Sequence, residues 1–304
     1  MAFTAFGSNN RSPSNKPRRT GKVVIALLAP GLAYLAMFFL TPLFALIMVS
    51  LETPDPAGGF AEYVPAFEFG NYANVVSEYL PHILRSFGYA LAATVLALLI
   101  SYPLAYFIGV KARPWPMLQK LMLTLVIAPF FISFLLRTLA WKQIFSNESW
   151  IVSSLQDLGI LDQTQYVVGT PFMVIFGLTY NFIPFMTLPL YTSLERLDTR
   201  YLEAGSDLYA TPAKVFRKVT LPLSMPGIIS GTLLTFIPIA GDYVNASGDF
   251  LGSSSTAMIG NVIESNYLQI NDYPSASALS VILMGVILVL VSVYVRKSGT
   301  EDLL

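Results

Sequence analysis

One aspartate and four aromatic residues have the side-chain types that could recognise a cation. These candidates are Trp141, Tyr180, Phe185, Asp242 and Tyr243. A carboxylate within a membrane costs on the order of 2.5–3.5 kcal/mol, so it usually faces a cavity or a partner. Aromatic faces attract cations. The five residues are therefore predicted to line a path, although Asp242 could instead pair with Arg137, and the rings could be membrane-interface anchors.

A second polar region is a charged island, Thr199–Pro222, between two apolar stretches of membrane length. It contains Glu203, Asp207, Arg217 and Lys218, whereas the flanking segments carry almost no charge. A connection of this length is not needed to join two membrane helices. The island is therefore predicted to be held by another protein.

The island is predicted to fold as a helix, a turn and a second helix along a membrane surface. Its first part, Asp198–Leu208, has good helix composition. Thr211 is typical of an N-cap with Pro212 at the first helical position, and the second helix is expected to run through Val219. The alternative is an amphipathic loop resting on lipid headgroups, which the carboxylates of the first helix disfavour.

The elements that position these residues are membrane helices, because the chain of 304 residues is 54% hydrophobic and only 12% charged. A spanning helix needs about 20 apolar residues. Six segments qualify and predict an all-α integral membrane bundle: 23–51, 86–110, 118–145, 171–194, 223–244 and 276–295. Residues 1–22 are predicted to be a flexible tail, and residues 195–222 form the connection described above.

Basic residues indicate the orientation, since Lys and Arg are retained on the cytoplasmic side. All 18 except Arg85, Arg137 and Lys142 fall in the tail, in the second and fourth connections, or after the last span. Both termini are therefore predicted to be cytoplasmic. Acidic residues fill the opposite loops, where they could attract cations or simply keep the loops soluble.

The island also resembles a known motif. The residues that carry the likeness are Glu203, Ala204, Gly205, Asp207, Leu208, Phe216 and Pro222. They are similar to the EAA loop of permease subunits in bacterial ABC importers, where the loop forms a coupling helix that inserts into the ATPase subunit. The resemblance implies the same role here. The family pattern has Ala where Gly205 stands and Gly where Tyr209 stands.

Four further segments are similar to the spermidine/putrescine group of these permeases: Arg137–Trp141, Tyr180–Met186, Leu188–Glu195 and Phe236–Val244. The resemblance implies a six-span type I importer permease in the bacterial cytoplasmic membrane. It also implies three kinds of partner protein: a second permease, two ATPase subunits and an extracytoplasmic binding protein. A polyamine, with ammonium groups separated by methylenes, would suit carboxylates spaced among aromatic faces. A permease for ferric ion or another small solute is the alternative.

No catalytic chemistry is indicated for the chain itself. The sequence has no cysteine and no phosphate-binding Gly-x-x-x-x-Gly-Lys-Ser/Thr loop. The single histidine, His82, has no metal-ligand spacing around it. We therefore expect no cofactor, metal or nucleic acid on this chain, with ATP and Mg used by the partner ATPase. A passive channel would need no docking loop, and a membrane enzyme or scaffold would need a reactive constellation or an extramembrane domain.

Overall fold

The computed structural model describes residues 21–162 and 166–297, so residues 1–20 of the predicted tail lie outside the described residues. The described residues divide into two compact units, with the boundary between Leu46 and Ile47. The first unit contains helix α1 (Gly21–Leu35), a π-helical turn (Ala36–Leu40) and the start of α2 (Thr41–Val49). Apolar side chains of this helical segment are exposed, as expected of a helix that meets lipid.

The second unit is also mainly helical. Its α-helices are α3 (Gly70–Tyr106), α4 (Pro116–Ile127), α5 (Phe134–Ile144), α6 (Trp150–Asp157), α7 (Pro171–Glu195), α8 (Thr199–Asp207), α9 (Pro212–Val215), α10 (Leu221–Leu223), α11 (Met225–Ala240), α12 (Ile259–Ser265) and α13 (Tyr273–Lys297). Short π-helical turns (Phe107–Lys111, Phe216–Thr220, Asn266–Ile270) and 3₁₀ turns (Ala128–Phe131, Ser254–Thr256) continue or connect them. Strands β1 (Glu52–Pro54) and β2 (Tyr63–Pro65) pair antiparallel, with Thr53 opposite Val64.

Four helices of the described chain are long and apolar enough to cross a membrane, and two bent helix pairs bring the number to as many as six. The four are Val24–Val49, Gly70–Lys111, Pro171–Glu195 and Tyr273–Arg296. The helix that contains the second starts at Gly70, before the predicted span of residues 86–110, which stays a prediction. Residues 70–85 look polar and turn-like in the sequence, yet Pro81 and His82 both lie inside α3.

The predicted third and fifth spans are both bent. Helix segments Pro116–Phe131 and Phe134–Ile144 meet at 94°, and Pro212–Leu223 and Met225–Ala240 meet at 64°. The first bend arises because Ile132 and Ser133 adopt extended backbone after the 3₁₀ turn that contains Pro129. In the second pair, α9, the π-helical turn Phe216–Thr220 and α10 form one continuous helical segment that runs to Leu223, so this segment does not stop at Val219 as predicted.

The core that supports both polar regions lies among α3, α7 and α11. Helix α11 approaches α7 closely through two glycines. A Cβ on Gly227 would lie 2.6 Å from the Ser193 Cβ, and one on Gly231 would lie 2.8 Å from the Met186 Sδ. The small-residue face Gly227–Gly231 therefore permits the close helix packing that its spacing indicates.

Candidate functional site

The charged island forms a folded loop, Thr199–Leu223, that is attached to the core by its second helix. Thr211 is the N-cap residue and Pro212 the first residue of α9, as the sequence predicts. The Phe216 ring packs edge-on against Tyr102 at 5.5 Å and Tyr106 at 6.2 Å between ring centroids. Phe216 therefore faces helix α3 of its own chain. A direct contact between Phe216 and a partner, the role implied by the resemblance, stays a prediction.

Helix α8 lies on this second helix. A Cβ on Gly205 would lie 3.0 Å from a Val215 methyl carbon, and Val215 is buried. Glycine at this position thus allows α8 to approach α9 closely. The remaining residues of the motif, Glu203, Ala204, Asp207, Leu208 and Pro222, are exposed, and we call the first four, which lie on α8 and directly after it, the outer face of the loop. Leu208 is 81% exposed and the next residue, Tyr209, is 99% exposed, so two large side chains adjoin the carboxylates of this face.

Arg113 fixes the point where the loop leaves the core. Its Nη2 donates to the carbonyl oxygens of Leu194 (2.7 Å) and Glu195 (2.6 Å), and its Nε donates to the Gly109 carbonyl. A cation at the end of a helix also opposes the negative end of the helix dipole. Arg113 therefore joins the C-terminal end of α7 to the turn after α3. The sequence indicated Arg113 only as one of the basic residues of the cytoplasmic side.

Asp242 lies in a buried polar network with three other residues: Thr138, Asn181 and Asn245. We call these four residues the amide network. The backbone N–H of Asn245 donates to one Asp242 carboxylate oxygen (2.7 Å), and its Nδ2 donates to the other (3.0 Å). Asn181 Nδ2 donates to Asn245 Oδ1 (3.1 Å) and to the Thr138 hydroxyl (3.2 Å). Asp242 is only 8% exposed, so the geometry gives it a structural role. Its direct contact with cargo stays a prediction.

Among the described residues, no ion pair joins Asp242 to Arg137. Arg137 is 8% exposed, and its Nε and Nη1 have no hydrogen-bond partner there. Its guanidinium carbon lies 5.9 Å from the centre of the Phe134 ring. The structural role of Asp242 therefore rests on Asn245, a residue that the sequence did not single out because a lone amide has no pattern of its own.

The four predicted aromatic residues fall into three places. Trp141 and Tyr180 meet edge to face, with ring centroids 5.0 Å apart. Phe185 instead packs against Phe130 and lines a cavity of about 840 Å³. This cavity reaches from Phe185 to the start of the loop, where Asp198 and Tyr201 line it. Its other lining residues are Leu188, Pro189, Thr192, Ser193, Arg196, Leu197, Leu223, Pro226, Gly227, Ser230 and Leu234.

Tyr243 turns away from its neighbour Asp242 and is about half exposed. With Glu264 and Tyr267 it lines a cavity of about 370 Å³. Burial, and after it the negative charge of Asp249, raises the pKa of the Glu264 carboxyl above its usual value. The structure thus brings Trp141 and Tyr180 together and keeps Phe185 and Tyr243 apart from them.

Comparisons with known proteins bear on this arrangement. Residues 124–297 match the sequence family described as the binding-protein-dependent transport system inner membrane component. The chain belongs to this family. As a family member it is an inner-membrane transport permease, and the loop and the amide network both fall within the matched residues.

Relatives of this permease extend the match to most of the chain. It is 36% identical over 269 residues to the spermidine/putrescine transport system permease protein PotB of Escherichia coli K12, covering 87% of this chain and 94% of that protein. It is 35% identical over 278 residues to the protein of the same name in Haemophilus influenzae, covering 91% and 93%.

Solved structures support the fold. A bacterial ABC transporter involved in the import of the acidic polysaccharide alginate matches with a TM-score of 0.66 at 18% identity, covering 92% of this chain and 96% of that one. The MetNI methionine ABC transporter, in an inward-facing conformation, matches with a TM-score of 0.51 at 19% identity, covering 73% and 93%. The chain thus has the fold of an ABC transporter permease.

Proposed function

We propose that this permease forms, with a second permease subunit, the path by which polyamines such as spermidine and putrescine are imported across the bacterial cytoplasmic membrane. The cargo is proposed from one observation: the chain is 34–36% identical to relatives named spermidine/putrescine transport system permeases. Trp141, Tyr180, Phe185, Asp242 and Tyr243 remain the candidate residues of the path. Both termini face the cytoplasm in this proposal.

The outer face of the loop carries the proposed coupling. Glu203, Asp207 and Leu208 are exposed on α8 and directly after it, and α8 packs on the second helix, which Phe216 attaches to α3. An ATPase subunit bound to this face would move α8 and α9 together as ATP binds and is hydrolysed. Phe216 and Arg113 would pass that movement to α3 and α7, and the path would open to each side of the membrane in turn.

The chemistry of ATP hydrolysis belongs to the partner in this proposal, with ATP and Mg bound there. An extracytoplasmic binding protein delivers the cargo. The permease contributes the path and a rigid connection between the ATPase and the core. A second permease and two ATPase subunits complete the complex.

A reconstitution experiment tests the cargo. The complex in vesicles is given binding protein loaded in turn with spermidine, putrescine or ferric ion, and ATPase activity and uptake are both measured. We expect stimulation and uptake with a polyamine only. Stimulation by ferric ion alone would overturn the cargo and keep the coupling, whereas a permease that conducts without any ATPase would overturn both.

A further inference from the structure

The turn between α8 and α9 contains an exposed aromatic residue, Tyr209, in unfavourable backbone geometry. Helix α8 ends at Asp207, and Tyr209 follows with a φ of +53°. The N–H of Leu208 donates to the Ala204 carbonyl, and the N–H of Ala210 donates to the Gly205 carbonyl, both at 3.2 Å. The bond from Ala210 to Gly205 closes the helix end around the left-handed residue, as in a Schellman motif, where that residue is usually glycine.

Tyrosine is an unfavourable choice for that position. Left-handed backbone brings Cβ close to the following carbonyl oxygen, which only glycine avoids without cost and which Asn tolerates better than most residues. The turn would therefore be more stable with glycine. Nothing in the backbone geometry of the turn favours an aromatic ring.

The Tyr209 ring makes almost no packing contribution to its own chain. Tyr209 is 99% exposed, more than the other large apolar or aromatic side chains of the described residues. Leu208, beside it, is 81% exposed, and both follow directly on Asp207 at the outer face of the loop. A large ring in strained backbone, fully in solvent, is thus presented next to the face proposed to bind the ATPase.

We infer that Tyr209 is a contact residue for the ATPase subunit, and that its ring enters an apolar depression on that subunit beside the groups that meet Glu203 and Asp207. The inference rests on the proposed function. Buried tyrosines are frequent among the few residues that dominate binding energy at protein interfaces. Burial of this ring in the complex offsets the strain that the turn carries in the free permease.

Substitutions at Tyr209 separate the ring from the backbone. Tyr209→Gly removes both ring and strain, Tyr209→Asn removes the ring and keeps a residue that tolerates left-handed backbone, and Tyr209→Phe keeps ring and strain. Tyr201→Asn is the matched control, since Tyr201 is an exposed tyrosine of the same loop that lies in regular helix and lines the 840 Å³ cavity. The measurements are thermal unfolding of the reconstituted permease pair and its affinity for the purified ATPase subunit.

We expect opposite signs for Tyr209→Gly: a thermal midpoint higher by about 2 °C and ATPase affinity weaker by about tenfold. Tyr209→Asn weakens binding similarly, and Tyr209→Phe and Tyr201→Asn bind as wild type. Wild-type affinity in both the Gly and the Asn variants overturns the inference. A Glu203→Lys variant distinguishes failure of the Tyr209 contact from failure of the proposed function. If the Tyr209 variants bind normally and Glu203→Lys does not, the proposed function stands without this contact. If Glu203→Lys also binds normally, the assignment of the outer face as the coupling face is wrong.

Discussion

The amide network and the outer face of the loop are both polar regions of one membrane protein, yet their carboxylates have opposite surroundings. Both carboxylate oxygens of Asp242 accept hydrogen bonds from Asn245 inside the bundle. The carboxylates of Glu203 and Asp207 lie in solvent. Buried polar groups normally find partners within the fold, whereas the exposed groups of the loop can be hydrated or can bind a partner protein. The difference separates Asp242, whose hydrogen-bond partners lie within the chain, from Glu203 and Asp207, which are proposed to meet a partner protein.

Loss of the Asp242 charge would disrupt the amide network and should have the largest effect on stability. Asp242→Asn removes a charged acceptor whose two hydrogen bonds are buried, and each bond to a charged group contributes roughly 1.5–3 kcal/mol. We predict a free energy of unfolding lower by about 2–3 kcal/mol, measured by thermal unfolding in detergent, with uptake falling in step with the amount of assembled complex.

The control for Asp242→Asn is Asp249→Asn, an exposed carboxylate on the segment after the network. Uptake lost from a complex that assembles in normal amount would contradict the structural role. That result would support instead the direct cargo contact that the sequence predicts for Asp242.

Arg113 connects the two regions, and its removal should weaken coupling more than folding. Arg113→Ala frees three carbonyls at the point where α7 leads into the loop. We predict that uptake per ATP hydrolysed falls about threefold to tenfold, for a lost connection of roughly 1 kcal/mol. Uptake and ATP hydrolysis are measured together in vesicles.

Lys111→Ala serves as the matched control for Arg113, because Lys111 is a basic residue of the same turn with an exposed side chain. An unchanged ratio of uptake to hydrolysis in Arg113→Ala would show that the loop does not need this connection to act.

Gly205→Ala should have the smallest effect. Alanine stabilises a helix interior by roughly 0.5–1 kcal/mol relative to glycine, but the new Cβ would lie 3.0 Å from a Val215 methyl carbon. These effects oppose each other, so we predict a change in the free energy of unfolding below about 1 kcal/mol. A much larger loss of stability in thermal unfolding would mean that α8 and α9 cannot move apart even slightly. Gly205→Leu, which adds a larger side chain at the same position, shows the size of the loss when they must move apart.

Much of the loop was predictable from the sequence, because its signals are local. Thr211 followed by Pro212 gave the start of α9, and the charge between two apolar stretches marked the loop itself. The orientation of Phe216 toward Tyr102 and Tyr106 was not predictable, since it depends on where α3 lies. The strain at Tyr209 was hidden too: the sequence shows only a departure from glycine, and the φ of +53° gives the departure its meaning.

The bundle was predictable in number of apolar segments and less so in shape. The bend of 94° in the third predicted span was not predictable, because it depends on the extended backbone of Ile132 and Ser133. The helical start at Gly70 was missed because polar residues and Pro81 resemble a loop when tertiary packing is unknown. Asn245 was missed because its partners, Asp242 and Asn181, come together only in the folded chain.

The central claim is that the outer face of the loop binds the ATPase subunit, and a charge reversal tests it most directly. Glu203→Lys is compared with Glu148→Lys, which reverses an exposed carboxylate in the connection between α5 and α6. Both permeases are purified from membranes, and the amount of ATPase subunit that remains bound is measured. We predict that Glu203→Lys loses at least about nine-tenths of the bound ATPase, equivalent to about 1.4 kcal/mol, with an unchanged thermal midpoint, while Glu148→Lys keeps it. Full retention of the ATPase by Glu203→Lys would contradict the account.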